Sequence, residues 1–303
     1  MLAAIEAERG SRVLVYWTTD IARISEGVAT PLYDQLQAIG HVDKLDLILF
    51  TRGGDTEAPW RIVSLIREYC DHLGVLVPFR AASAGTMIAL GADEIVMTPL
   101  SALGPIDPSR THPLLPLQGG VKEAVSVQDM RHAMNFVRQP SGPGSEMVYT
   151  PEAMAQIFAA LFDKIHPLAI GAIEQSYALA KLVARMCLET HMDATTEKAQ
   201  ITAIVDRLCD DYKSHSFQIN RSEARAVGLK AVDASPALAT ALDHVLKFYL
   251  ARKVFPSGEP ALGKIVAAHL AWLDSLSMTI RAEGKVTLDG DNIVHKGDAW
   301  TIY

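Results

Sequence analysis

Cysteine is scarce in this chain. Cys70, Cys187 and Cys209 are odd in number, widely spaced and without a C-x-x-C partner. A disulfide framework and a thiolate zinc site are thereby excluded, and three buried free thiols in apolar, helix-like stretches are expected. Basic charge is not in excess either. Lys and Arg total 28 against 35 Asp and Glu, a net charge of -7, which is the opposite of a nucleic-acid footprint. No uncharged run approaches the roughly 18 residues of a membrane span. The opening Met1–Arg9 lacks a basic leader followed by an apolar segment, so a soluble cytoplasmic protein is expected. The ten histidines form no H-E-x-x-H and no close pair, and neither G-x-G-x-x-G nor G-x-x-x-x-G-K-[ST] occurs. No metal, dinucleotide or other cofactor is expected, and the chain carries no ATPase module of its own.

What is present is an ordinary globular composition, 49% hydrophobic and 21% charged over 303 residues, enough for a large core and too apolar for extended disorder. Short apolar runs at 13–17, 45–50, 75–79 and 94–97 read as buried strands, with 102–106 a further candidate. Helical spacing separates them at 28–40, 58–73 and 84–90. Strand and helix alternating at this interval predicts right-handed βαβ units and a mostly parallel sheet. Residues 109–148 break the pattern with prolines and glycines around one short helical candidate, and read as an excursion near a site. Residues 151–190 predict two helices with a break at His166-Pro167, and 195–209, 222–227, 236–252 and 262–277 predict more helix. The tail 278–303 alternates and carries turn pairs, as a β-hairpin does. The expected division is 1–233 as a catalytic domain and 234–303 as a helical extension with a β tail.

In a parallel sheet, chemistry collects beyond the carboxyl ends of the strands. Two motifs lie there. Thr51-Arg-Gly-Gly-Asp55 follows the second strand, and Ser83, between Ala82 and Ala84, opens a helix after the third. Ser83 reads as a nucleophile, with the Ala84 amide and the amide of Gly53 or Gly54 as oxyanion donors. Each motif alone has a plain structural reading, Ser83 as a helix N-cap and the glycines as a turn.

Taken in order, Leu49–Asp55, Ala81–Met97 and Leu103–Pro108 resemble the serine peptidases of the ClpP/crotonase superfamily. Within it the chain is most similar to the serine dehydrogenase proteinase family, relatives of signal peptide peptidase A. Ser214–Ile219, Glu223-Ala224 and Gly228-Leu229 match the later part of that pattern, so the resemblance spans roughly 13–232. It implies an α/β fold, a ClpP/crotonase-like spiral of ββα units, here with C-terminal helices and a short β tail. It also implies peptide-bond hydrolysis through Ser83, with oxyanion amides at Gly53 and Ala84.

The base is left open. Where ClpP-type enzymes place a histidine after the nucleophile helix, this chain has Ile106-Asp107-Pro108, and where they place the aspartate it has His215. One reading exchanges the two, with His215 as base and Asp107 orienting it. The other is a Ser/Lys dyad with Lys122, 39 residues after Ser83. His112 is a weaker candidate, and His166 reads as structural. Phe79, Met87 and Leu103 are expected to give the pocket an apolar lining. A peptide or protein substrate and a homo-oligomer are implied, and dependence on a partner ATPase is compatible. The competing readings are a non-proteolytic acyl-CoA hydratase or thioesterase of the same fold, and an inactive ClpP-like scaffold.

Overall fold

The computed structural model describes residues 1–110, 125–126, 150–164, 166–262, 264–289 and 292–303. The candidates Lys122 and His112, and the interior of the 109–148 excursion apart from 125–126, lie outside these residues.

Five parallel strands form the middle of the protein: β1 (Arg12–Thr18), β2 (Val42–Phe50), β3 (Cys70–Val77), β5 (Glu94–Met97) and β9 (Ala231–Asp233), side by side in the order β1-β2-β3-β5-β9. Alternation along each strand divides its side chains between two cores. Leu14, Tyr16, Leu47, Leu49 and Val75 face one, and Val13, Val15, Trp17, Ile48 and Leu76 the other. The first core is covered by α2 (Ala29–Ile39), α3 (Ala58–Arg67), α4 (Ala84–Leu90) and α6 (Pro167–Leu188). The second is covered by α1 (Leu2–Arg9) and α9 (Pro236–Leu250), with Trp17 stacked between Phe50 at 4.1 Å and Tyr249 at 4.8 Å. The mixed α/β class read from the alternating runs is the one observed.

A second, smaller layer stands beyond the carboxyl ends of β2 and β3. The chain leaves β3 and makes β4 (Arg80–Ala81), then α4, then β5, then β6 (Ala102–Leu103). β4 pairs with β6 in parallel, Thr51 bridges Ala81, and Ile24 bridges Gly54. A long strand, a short ledge strand and a helix therefore repeat, and the ledge carries the motifs. Just past β6, the two-residue strands β7 (Ser109–Arg110) and β8 (Val125–Ser126) pair antiparallel.

Two helix assignments need correction. The helix expected over 58–73 ends at Arg67, and β3 begins at Cys70, where pairing with β2 aligns Val42 with Cys70 and Lys44 with His72. Gly74 is thus a strand residue and not a helix cap; a methyl group on it would lie 2.0 Å from Asp46 Oδ1. The second correction is at 262–277. It contains β10 (Val266–Asp274), antiparallel to β1, followed by β11 (Thr279–Asp289) and β12 (Asn292–Ile302) in a meander. β10 is buried over most of its length, and an apolar run buried on both faces has no period with which to separate strand from helix. The extension consequently contributes one helix and three strands, and the sheet runs as β12-β11-β10-β1-β2-β3-β5-β9.

The break at His166-Pro167 falls where expected, between α5 (Pro151–Lys164) and α6, and His166 Nδ1 caps the second helix by accepting from the Leu168 amide at 3.2 Å. After α7 (Lys198–Asp206) a π turn, Arg207–Asp211, leads toward α8 (Arg221–Val227). All three cysteines are buried thiols, and burial pushes those of Cys187 and Cys209 up to about 12. Among the described residues no helix is long and apolar enough to cross a membrane.

Candidate active site

Ser83 is the one non-glycine residue at positive φ among the described residues, with φ 51° and ψ -111°. Such a conformation carries a steric cost of roughly 1–3 kcal/mol and persists where the surroundings over-determine it. Here they do. Behind Ser83, α4 is buried at every residue and Thr86 Oγ1 donates to the Ala81 carbonyl. Ahead of it, Ala82 N–H donates to the Thr51 carbonyl at 3.2 Å. The Ser83 side chain makes no capping bond to its helix, contrary to the plain N-cap reading. Ala84 is the first residue of α4, where an N–H has no intrahelical acceptor.

Gly53 comes up against this turn. Its φ is 105°, and a methyl group built on it would lie 3.0 Å from Ser83 Cβ, 3.1 Å from Ala82 O and 3.5 Å from Ala84 N. Gly53 therefore brings bare backbone to the serine and the first helical amide together. Its own N–H donates to Thr51 Oγ1 at 3.0 Å, and that hydroxyl contacts Thr18 Oγ1 at 3.1 Å. Gly54 faces the other way. A methyl group there would sit 2.1 Å from Ile24 O, because Ile24 N–H donates to the Gly53 carbonyl and Asp55 N–H to the Ile24 carbonyl. The two adjacent glycines thus have separate reasons: one admits the site, the other admits a neighbouring backbone.

Asp107 and His215, 108 positions apart, meet at 3.4 Å between Oδ2 and Nδ1. Asp107 is 2% exposed, and the Ile106 amide ahead of it is anchored on the Leu208 carbonyl in the π turn. The stretch holding His215 is fixed from its far side, where Leu103 and Ile219 exchange hydrogen bonds in both directions at 2.9 Å. The hydrogen bond to Asp107 raises the His215 pKa above the ordinary histidine value, against burial and the positive charge of Arg23. His215 remains about half exposed and opens on a cleft of about 370 Å³. Ala82 and Gly104 line the same cleft, and a methyl group on Gly104 would come 3.4 Å from Ser83 N.

Of the apolar residues expected in the lining, Leu103 is there, whereas Met87 is buried within α4 and Phe79 stacks on Phe50. The lining instead includes Arg23, Arg52 and Arg80. Arg52 lies inside the first motif and Arg80 just ahead of the second, which is the available signal for them; Arg23 has none. Among the described residues no group of three or more His, Cys, Asp and Glu is arranged to hold a metal ion.

Residues 34–123 match the sequence model of the ClpP-like SDH-type serine proteinases, and the resemblance read from the motifs is to this family. The matched segment contains Gly53, Ser83, Ala84 and Asp107, and ends before His215. Two uncharacterized proteins of Methanocaldococcus jannaschii are similar. One is 34% identical over 116 residues, 34% of this chain and 39% of its own length. The other is 42% identical over 64 residues, 21% of this chain and 22% of its own. The chain therefore spans well under half the length of these relatives. Among solved structures, a membrane-bound stomatin-specific protease aligns at 18% identity and TM-score 0.40 over 78% of this chain and 84% of that one. The ClpP catalytic domain of Plasmodium falciparum aligns at 13% and 0.37 over 78% and 93%.

Proposed function

We propose that the chain is a serine endopeptidase in which Ser83 is the nucleophile, His215 the general base and Asp107 its orienting partner. The observation that carries this reading is the turn at Ser83, held at positive φ with the Gly53 backbone and the first amide of α4 beside it.

In this reading Ser83 Oγ attacks the scissile carbonyl carbon as His215 Nε2 takes its proton. The electron pair of the carbonyl moves onto oxygen, which receives the Ala84 N–H. Gly53 N–H, held by Thr51 Oγ1 in the free chain, is the second donor and is shared with the oxyanion once it forms. Asp107, fixed at Nδ1, keeps the imidazole in the tautomer with Nε2 free and balances its charge once protonated. His215 then returns the proton to the departing amine, breaking the C–N bond. Water, deprotonated by the same imidazole, releases the acyl group and restores Ser83.

Fluorophosphonate labelling tests the nucleophile. A stoichiometric adduct on Ser83, lost in Ser83→Ala, is expected, and absence of any adduct across the pH range of folding overturns the assignment. Comparing His215→Ala with Lys122→Ala assigns the base. Loss of turnover in the first with retention in the second is expected. The opposite pattern gives the role to Lys122.

A further inference from the structure

Overall the chain is acidic, with 35 carboxylates against 28 basic side chains. Among the described residues, the lining of the cleft beside Ser83 inverts that balance: it holds Arg23, Arg52 and Arg80 and no Asp or Glu. Each arginine sits beside a part of the candidate machinery. Arg52 precedes Gly53, Arg80 belongs to the ledge strand β4, and Arg23 precedes Ile24, whose backbone is bonded to Gly53 and Asp55. Arg52 is paired with the exposed Asp20 at 2.6 Å. Among the described residues Arg23 and Arg80 form no ion pair with a carboxylate. Arg80 is steadied by the Phe79 ring, its guanidinium carbon 5.4 Å from the centroid, which reduces the freedom lost when it binds a ligand.

Cations sharing one concave site repel each other, and an anion entering it relieves that repulsion and accepts their free N–H groups. The remaining described lining, including Gln218 and Phe217, supplies a polar and an aromatic flank but no carboxylate. We propose that this cleft takes a carboxylate side chain of the substrate, an Asp or Glu close to the scissile bond, held by Arg23 and Arg80. The proposal rests on the peptidase reading and names its substrate class: acidic peptides.

Binding to the Ser83→Ala chain, followed by fluorescence anisotropy, tests this without cleavage. The probes are neutral peptides in which a single Glu or Gln is moved along the sequence, each made with a free and an amidated C-terminus. At one register Glu is expected to bind roughly tenfold tighter than Gln, the worth of about one charge-assisted hydrogen bond, whichever terminus is present. Arg23→Gln and Arg80→Gln should each reduce that preference. Rising salt should erode it in the chain with both arginines intact, so a poorly folding variant does not remove the test. Equal affinity for Glu and Gln at every register overturns the proposal. So does a preference that follows only the free C-terminus, which would make the cleft a chain-end site. Glu-selective binding by a protein that neither labels nor cleaves would sink the peptidase reading and keep the carboxylate cleft; cleavage indifferent to Glu would do the reverse.

Discussion

Leu103 and Ile219 exchange backbone hydrogen bonds in both directions at 2.9 Å, although 116 residues separate them. Leu103 lies four residues before Asp107 and Ile219 four after His215. The bridge therefore acts as the clasp that sets the carboxylate against the imidazole.

The first prediction concerns that pair. Asp107→Asn keeps the shape and removes the charge, and an amide NH₂ facing Nδ1 favours the wrong tautomer. kcat should fall roughly 10³–10⁴-fold with KM little changed. A circular-dichroism melt near that of the parent protein would show that the loss is chemical. Full turnover in Asp107→Asn would remove Asp107 from the mechanism.

The second concerns pH. If His215 is the base, the Asp107 hydrogen bond that raises its pKa makes it lose its proton at a higher pH than an ordinary histidine, and kcat/KM should rise through a limb displaced upward. In Asp107→Asn that limb should move down, since the carboxylate's hydrogen bond and charge are lost while burial and Arg23 still disfavour the imidazolium. The stability sign is opposite. A raised histidine contributes while protonated, so its contribution is complete below the unfolded pKa and disappears as pH climbs through the folded one. Since His215 is half exposed, that contribution is small. Paired pH–rate profiles of the two proteins measure the shift.

Gly53 and Gly54 should fail in different assays. Gly53→Ala places a methyl group 3.0 Å from Ser83 Cβ at a φ of 105°, so kcat/KM should drop about 100-fold or more while the fold persists. Gly54→Ala drives a methyl group to 2.1 Å from Ile24 O and forces the paired backbones apart; a loss of about 3 kcal/mol in unfolding free energy is expected. Urea unfolding and steady-state kinetics on both variants separate the effects. Equal behaviour of the two would contradict the division.

At the opposite ends of the strands, Asp46 is fully buried and receives Arg9 Nε at 2.9 Å and Ser11 Oγ at 2.7 Å. Asp46→Ala should cost about 3 kcal/mol, because Arg9 stays largely buried with only Glu94 opposite it. Glu94 is itself affected: burial works against its charge, but Arg9 and Lys44 hold its pKa at about 2. A depressed carboxylate contributes above its unfolded pKa, and that contribution drains as pH falls toward 2. Stability measured along an acid titration should decline in that window, and less steeply in Glu94→Gln.

Local features are legible where residue type dictates geometry. Ser83 among small residues, glycine at a position of positive φ and proline after His166 each announce a backbone event. Asp107 and His215 stand out by what they replace in a family pattern, but nothing local to either shows that they touch. Their contact depends on the Leu103–Ile219 bridge, and backbone pairing at that separation leaves no mark in composition or periodicity. β10 passes for a helix for a related reason: continuous burial erases the alternation that identifies a strand. The arginines of the cleft are invisible as a group because two loops and the ledge strand β4, far apart in sequence, deliver them.

The β10–β12 meander also bears on how the chain can be divided. β10 occupies the flank of β1, pairing Val15 with Asp274 and Trp17 with Trp272. A protein ended at residue 233 would bare the row of backbone donors and acceptors along Val15–Thr18, the kind of sticky edge that recruits other strands. It would also lose α9, which roofs Val13, Val15 and Trp17. Truncation there would convert an interior strand into a site of self-association.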